Sequence, residues 1–186
     1  SIAFLLIAFG VGAGLAFTTP FELFESSEEF YSDVSKKPTA EAQYHAALLN
    51  SDSSSQLTKW EAVNYFFPKD DPEEPLNRHY AGLASLQLAR AFLDRGETEN
   101  ARQALRATIA DPYMGEIIKA LAHLQLAQIE WSAGKVKERD EAIDRALKIA
   151  AAQAENNSGD LPRLDENVRL MDQTIQDIWF RSRGAQ

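Results

Sequence analysis

AGLASLQLARAFLDRGETENARQALRATIADP (residues 81–112) and KALAHLQLAQIEWSAGKVKERDEAIDRALKIAA (residues 119–151) decide the fold. Each holds two apolar runs at helical spacing with a glycine between them. In the first stretch Leu83, Leu86, Ala89, Ala91 and Phe92 share a helical face. Gly96 turns the chain, Ala101, Ala104, Leu105 and Ile109 line a second helix, and Asp111-Pro112 closes the unit. The second stretch repeats the first: SLQLA at 85–89 returns as HLQLA at 123–127, and Gly96 returns as Gly134, both 38 residues later. One helical hairpin cannot bury its apolar face alone, so copies repeated at such a period stack into an array.

The flanks extend this pattern. Downstream, LPRLDENVRLMDQTIQDIWF carries Val168, Met171, Ile175, Ile178 and Trp179 at helical spacing and predicts a last helix that caps the array. Upstream, AEAQYHAALLN (40–50) reads as a short helix ended by Ser51–Ser55. LTKWEAVNYFF then places Trp60, Val63, Phe66 and Phe67 on one face and stops at Pro68. The charged segment Lys69–Pro75 reads as a loop.

Residues 1–21 differ from everything after them. From Ser1 to Phe21 there is no charged side chain, and a helix needs about 20 apolar residues to cross the hydrocarbon core. The expectation is a transmembrane anchor over 1–21, an acidic linker over 22–39 and a helical repeat domain over 40–186. The linker carries Glu22, Glu25, Glu28, Glu29 and Asp33, and Lys36 and Lys37 arrive only beyond them. By the positive-inside rule this places the repeat domain on the extracytoplasmic side. Gly10 and Gly14 form a GxxxG pair, a spacing that lets a second membrane helix approach closely.

Several function classes drop out. The formal net charge is −9, with no basic stripe to displace counterions from phosphate, so nucleic acid is not an expected partner. The absence of cysteine removes disulfides, thiolate metal sites and cysteine nucleophiles. No P-loop, GxGxxG, GxSxG or HExxH motif is present, and His45, His79 and His123 lie far apart in sequence. The chain is therefore expected to be no enzyme, with no catalytic residue, cofactor or metal ligand. Its working surface should be the concave face made by the first helix of each pair. Gln87, Arg90, Asp94, His123, Gln125 and Gln128 are the candidates there, polar side chains able to set the register of a bound protein segment. The expected partners are other proteins, together with membrane lipid around the anchor.

The repeat residues resemble those of the tetratricopeptide repeat. In that family a small residue follows a leucine on the first helix, a glycine makes the turn, and an alanine on the second helix allows close packing. Leu88-Ala89, Gly96, Ala101 and Leu105 stand at those positions in one copy, and Leu126-Ala127, Gly134, Ile143 and Ala146 in the other. The resemblance implies an all-α fold, a short solenoid of helical hairpins. Two departures mark the second copy: Arg139 stands where the small alanine belongs, and Glu130 where an aromatic is usual. They predict a second hairpin splayed apart.

The order of parts resembles one group more closely. YAGLASLQLARAFLDRGETENARQAL, with Tyr80, Ala84-Ser85-Leu86 and Leu88-Ala89, looks like the first full repeat of YfgM-like proteins. These are single-pass inner-membrane ancillary subunits of the bacterial Sec translocon, and IKALAHLQLAQIEWSAGK is similar to their next repeat. The resemblance implies a periplasmic scaffold that holds chaperones and clients near the translocon exit. The Pro-bearing segment 68–75 departs from that pattern. A second expectation is therefore kept: an accessory structural or assembly subunit of a respiratory or photosynthetic membrane complex.

Overall fold

Among the described residues, helices form where the apolar spacing predicts them. The computed structural model describes residues 31, 33–49, 55–70, 74–156, 165–166, 168–169 and 173–184. Among these are seven helices: α1 (Ala40–Leu48), α2 (Gln56–Phe66), α3 (Pro75–Asp94), α4 (Thr98–Ala110), α5 (Glu116–Ser132), α6 (Val136–Asn156) and α7 (Gln173–Gly184). The chain divides into two units, Ser1–Ser35 and Lys36–Gln186. In the first, the Val34 N–H donates to the Tyr31 carbonyl at 2.9 Å. The expected anchor over 1–21, with Gly10 and Gly14, lies outside the described residues. No helix among those described is long and apolar enough to cross a membrane.

The second unit is a stack of helical hairpins. α1 pairs with α2, α3 with α4 and α5 with α6; each second helix also packs on the first helix of the next pair. The first helices touch one another in turn, α1 on α3 and α3 on α5, and so form one continuous layer. α7 packs on both α5 and α6, the place that the next first helix would take. The main core runs through this stack along Leu86, Ala89, Leu105, Leu121, Leu124, Val168, Ile175 and Trp179. A smaller cluster of Ala47, Trp60, Val63, Ala84 and Ala91 holds α1 and α2 to α3. Fully buried alanines at 81, 84, 89, 101, 120, 127 and 146 suit close packing of the helices, because a methyl side chain takes little room between them.

Local chemistry sets the boundaries. Thr39 caps α1 by accepting the Ala42 N–H at 3.1 Å. Pro75 was expected to close a loop but opens α3. A proline suits the first helical turn, where its missing N–H has no intrahelical acceptor to satisfy. Both repeats end their first helix in the same hydrogen-bond pattern. The Gly96 N–H donates to Leu93 at 2.9 Å and the Glu97 N–H to Phe92 at 2.8 Å; the Gly134 N–H donates to Trp131 at 3.0 Å and the Lys135 N–H to Glu130 at 2.9 Å. This is the Schellman arrangement, and it needs a residue at positive φ. Gly96 (φ 75°) and Gly134 (φ 71°) supply it.

The second hairpin does not splay. Arg139 sits at its edge, with its guanidinium 4.5 Å from the Trp131 ring centroid. One turn further on, Ala142 is buried with Ala127 and Ile143, and Ala146 and Ala150 continue the contact into the main core. The close approach is thus kept and only moved one turn along α6. Glu130 is also accommodated, 3% exposed, by Arg102 of α4. The Arg102 Nε donates to Glu130 Oε1 at 2.7 Å, and a second guanidinium nitrogen reaches Oε2 at 3.4 Å. Arg102 also donates to Glu99, and Lys135 Nζ lies 3.7 Å from the Glu130 carboxylate.

Candidate functional site

The continuous layer of first helices is where the expected binding residues fall. Arg90 and Asp94 are exposed on α3, four residues apart on one face; Gln87 is half-buried on the same helix. Gln125 and Gln128 are half-buried on α5. Gln128 lines a hollow of about 390 Å³ with Leu93, Thr98, Ile129, Ser132 and Ala133, where α3 ends, α4 begins and α5 ends. That lining carries no formal charge, so it offers hydroxyls and an amide beside apolar walls.

His123 is the exception, and its placement corrects the sequence expectation. It is 5% exposed and belongs to the packed interior, not to an open groove. Nδ1 has no hydrogen-bond partner among the described residues. Burial pushes its pKa below the usual histidine value, and the nearby Arg145 charge adds to the effect. A periodicity argument puts His123 on the first helix but cannot say that neighbouring elements close over that part of its surface.

The structure brings together residues that the sequence reading did not group. Tyr44 of α1 and Tyr80 of α3 meet with ring centroids 5.7 Å apart, tilted by 46°. Below them Trp60 of α2, fully buried, lies 5.4 Å from Tyr44. His45 stands edge-on to Tyr44 at 5.7 Å and to Tyr80 at 6.5 Å. His79 stands edge-on to Tyr80 at 5.2 Å. Burial raises the Tyr44 pKa, and the neighbouring Gln87 side chain partly opposes that. The Tyr80 pKa is raised by burial and by the hydroxyl's bond to Glu41. Glu41 Oε1 also lies 3.8 Å from His45 Nε2. One signal for this cluster was available in the chain: Tyr44 and Tyr80 are aromatics on two successive first helices.

A second concave feature lies at the other end of the stack. Trp131 of α5, Arg139, Asp140 and Ile143 of α6, and Gln173, Asp177, Ile178 and Arg181 of α7 line a cleft of about 430 Å³. Trp131 is 53% exposed there. Arg139 donates to Asp140 Oδ1 through Nε at 2.7 Å and through a terminal nitrogen at 2.5 Å. Among the described residues no group of three or more His, Asp or Glu side chains could hold a metal ion.

The two ends of the array thus offer aromatic rings and paired charges. The sequence model of the tetratricopeptide repeat-like domain matches residues 30–162. No curated protein matches the chain, and no solved structure does.

Proposed function

The chain belongs to the tetratricopeptide repeat-like family, and on that premise we propose that it is a membrane-tethered scaffold whose first-helix layer grips other proteins. Domains of this family are interaction modules. The observation that carries the reading is the unbroken α1–α3–α5 layer, with the Tyr44–Tyr80 ridge at one end and exposed Arg90 and Asp94 further along. Stacked helical repeats bind protein segments on such surfaces, apolar and aromatic groups giving affinity and polar ones register.

The tether and its location rest on the sequence. The uncharged run 1–21 is the length of a membrane span, and the acidic flank favours an extracytoplasmic repeat domain. The resemblance to YfgM-like ancillary subunits supports a bacterial inner-membrane protein working at the translocon exit with periplasmic chaperones.

Site-specific photo-cross-linking in native membranes tests this reading. A photoreactive residue at Arg90 or Gln125 should yield protein adducts, whereas one at Arg106 or Lys148, exposed on the second helices, should not. Translocon and chaperone subunits in variable, substoichiometric amounts would support the scaffold. A fixed-stoichiometry complex of redox or pigment proteins would instead make the chain an accessory structural subunit. Adducts confined to the second helices would overturn the binding face itself.

A further inference from the structure

Building on the first-helix layer as the binding surface, we propose that its α1–α3 end captures an arginine side chain of the partner in a nest formed by Tyr44, Tyr80, His45 and Glu41. The nest has the parts that a guanidinium requires. The two tyrosine rings come from different helices and meet 5.7 Å apart, tilted by 46°. A cation within about 6 Å of an aromatic face is attracted by the ring quadrupole. Glu41 supplies the carboxylate: its side chain is 56% exposed, and that of His45 beside it is 55% exposed. Glu41 interacts with the Tyr80 hydroxyl, which ties the acid to this aromatic group.

Charge decides the occupant. The nest holds one carboxylate and no lysine or arginine. Arg78, on the same helix as Tyr80, is engaged elsewhere: its guanidinium lies over the Tyr113 ring at 5.7 Å and donates to the Lys69 carbonyl. The whole chain carries −9, which also favours a cationic partner at long range. An acidic segment would be repelled by Glu41, and a neutral one would leave the carboxylate without a new partner.

The protein already builds this arrangement once from its own side chains. Arg139 lies 4.5 Å from the centroid of Trp131 and gives two N–H groups to Asp140. Ring, guanidinium and carboxylate are all internal there. At the α1–α3 end the rings and the carboxylate are present and the guanidinium is the part left for a partner to bring. Arginine suits the place better than lysine, because its flat face can stack while its edge donates to the carboxylate.

The test is a titration of the full chain followed by aromatic and amide NMR. The probe is a blocked pentapeptide with a central arginine between two leucines, compared with the same peptide carrying citrulline, which keeps the shape and loses the charge. The arginine peptide should shift Tyr44, Tyr80 and His45, and the citrulline peptide should bind about tenfold more weakly, a difference of about 1.4 kcal/mol. E41Q, at an exposed site, should weaken the arginine peptide several-fold and leave the citrulline peptide unchanged. Y80F should retain most of the affinity because the ring remains, whereas Y80L should lose it. Equal binding of the two peptides, shifts centred on Trp131, or no shift at Tyr44 and Tyr80 at millimolar peptide would each overturn the nest. Failure of the nest while cross-links from Arg90 or Gln125 still form would leave the scaffold standing. Loss of those cross-links would instead remove the binding face on which the nest depends.

Discussion

The two repeats share a backbone plan and differ in what they bury. Counted from their common glycine, Phe92 of the first corresponds to Glu130 of the second, Ala101 to Arg139, and Ser85 to His123. The turns close with the same pair of hydrogen bonds, so the local plan is indifferent to these exchanges. The interior is not. Phe92 is held by packing, whereas Glu130 is held by Arg102, from the helix that separates the two first helices in sequence. Ser85 satisfies its hydroxyl within its own helix by donating to the Ala81 carbonyl at 2.9 Å. His123 leaves Nδ1 without a partner among the described residues. At this position the first repeat therefore packs hydrocarbon, and the second relies on a charged side chain, Arg102, from its neighbour.

Removing the neighbour's charge should have the largest effect. Glu130→Ala leaves Arg102 buried and stripped of its main partner, and should cost about 3–5 kcal/mol in denaturant unfolding. Replacing both residues with apolar side chains of similar volume should recover most of that loss. If the single and double variants are equally unstable, the pair is not what distinguishes the second repeat. The pH dependence gives a second view of the same pair. Burial alone would push the Glu130 pKa up, but the Arg102 bonds outweigh it and the net direction is down. Its stabilisation is thus present above the unfolded carboxylate value, about 4.3, and is lost as pH falls through the lower folded value.

Exchanging the small-residue position tests how the second hairpin closes. Ala101→Arg forces a long cation into a fully buried site and should cost about 3 kcal/mol. The reciprocal Arg139→Ala removes a stacking contact and an exposed ion pair with Asp140 at the hairpin edge and should cost about 0.5–1 kcal/mol. Comparable losses from both would mean that Arg139 is as deeply embedded as Ala101.

The histidine should make the second repeat sensitive to acid. The folded pKa of His123 is lowered by burial and by Arg145, so the unfolded chain binds the proton more readily. Stability is full above the unfolded histidine value, about 6.5, and falls as pH drops below it, by at most about 1.4 kcal/mol per pH unit. His123→Ser, which copies the first repeat, should flatten the stability curve between about pH 6.5 and 5. An unchanged slope would assign that dependence to other groups.

The two glycine turns should respond most evenly. Gly96→Ala and Gly134→Ala each place a Cβ at positive φ, where nothing crowds it within 4 Å. Each should cost about 1 kcal/mol. A clear difference between them would show that the turns are not equivalent despite their common bonding.

Much of this was legible in the chain. The 3.6-residue spacing gives helices wherever Leu, Ile and Ala recur, and a side chain's periodicity does not depend on what packs against it. The repeated glycines announce their turns because positive φ is a local requirement. Thr39 and Pro75 show how far local chemistry reaches: the threonine cap is readable, but a proline closing a loop and one opening a helix look alike until the helix is seen.

The sequence by itself thus determined the helices, their pairing and the family, since each follows from spacing and from conformational preferences a few residues long. The tertiary structure alone decided that Glu130 is paired and not stranded, that His123 is interior, that α6 closes one turn beyond Arg139, and that Tyr44 and Tyr80 form one surface. These four are meetings of side chains from different helices. The stacking of one hairpin on the next sets their distances, and no short-range preference of the chain encodes that geometry.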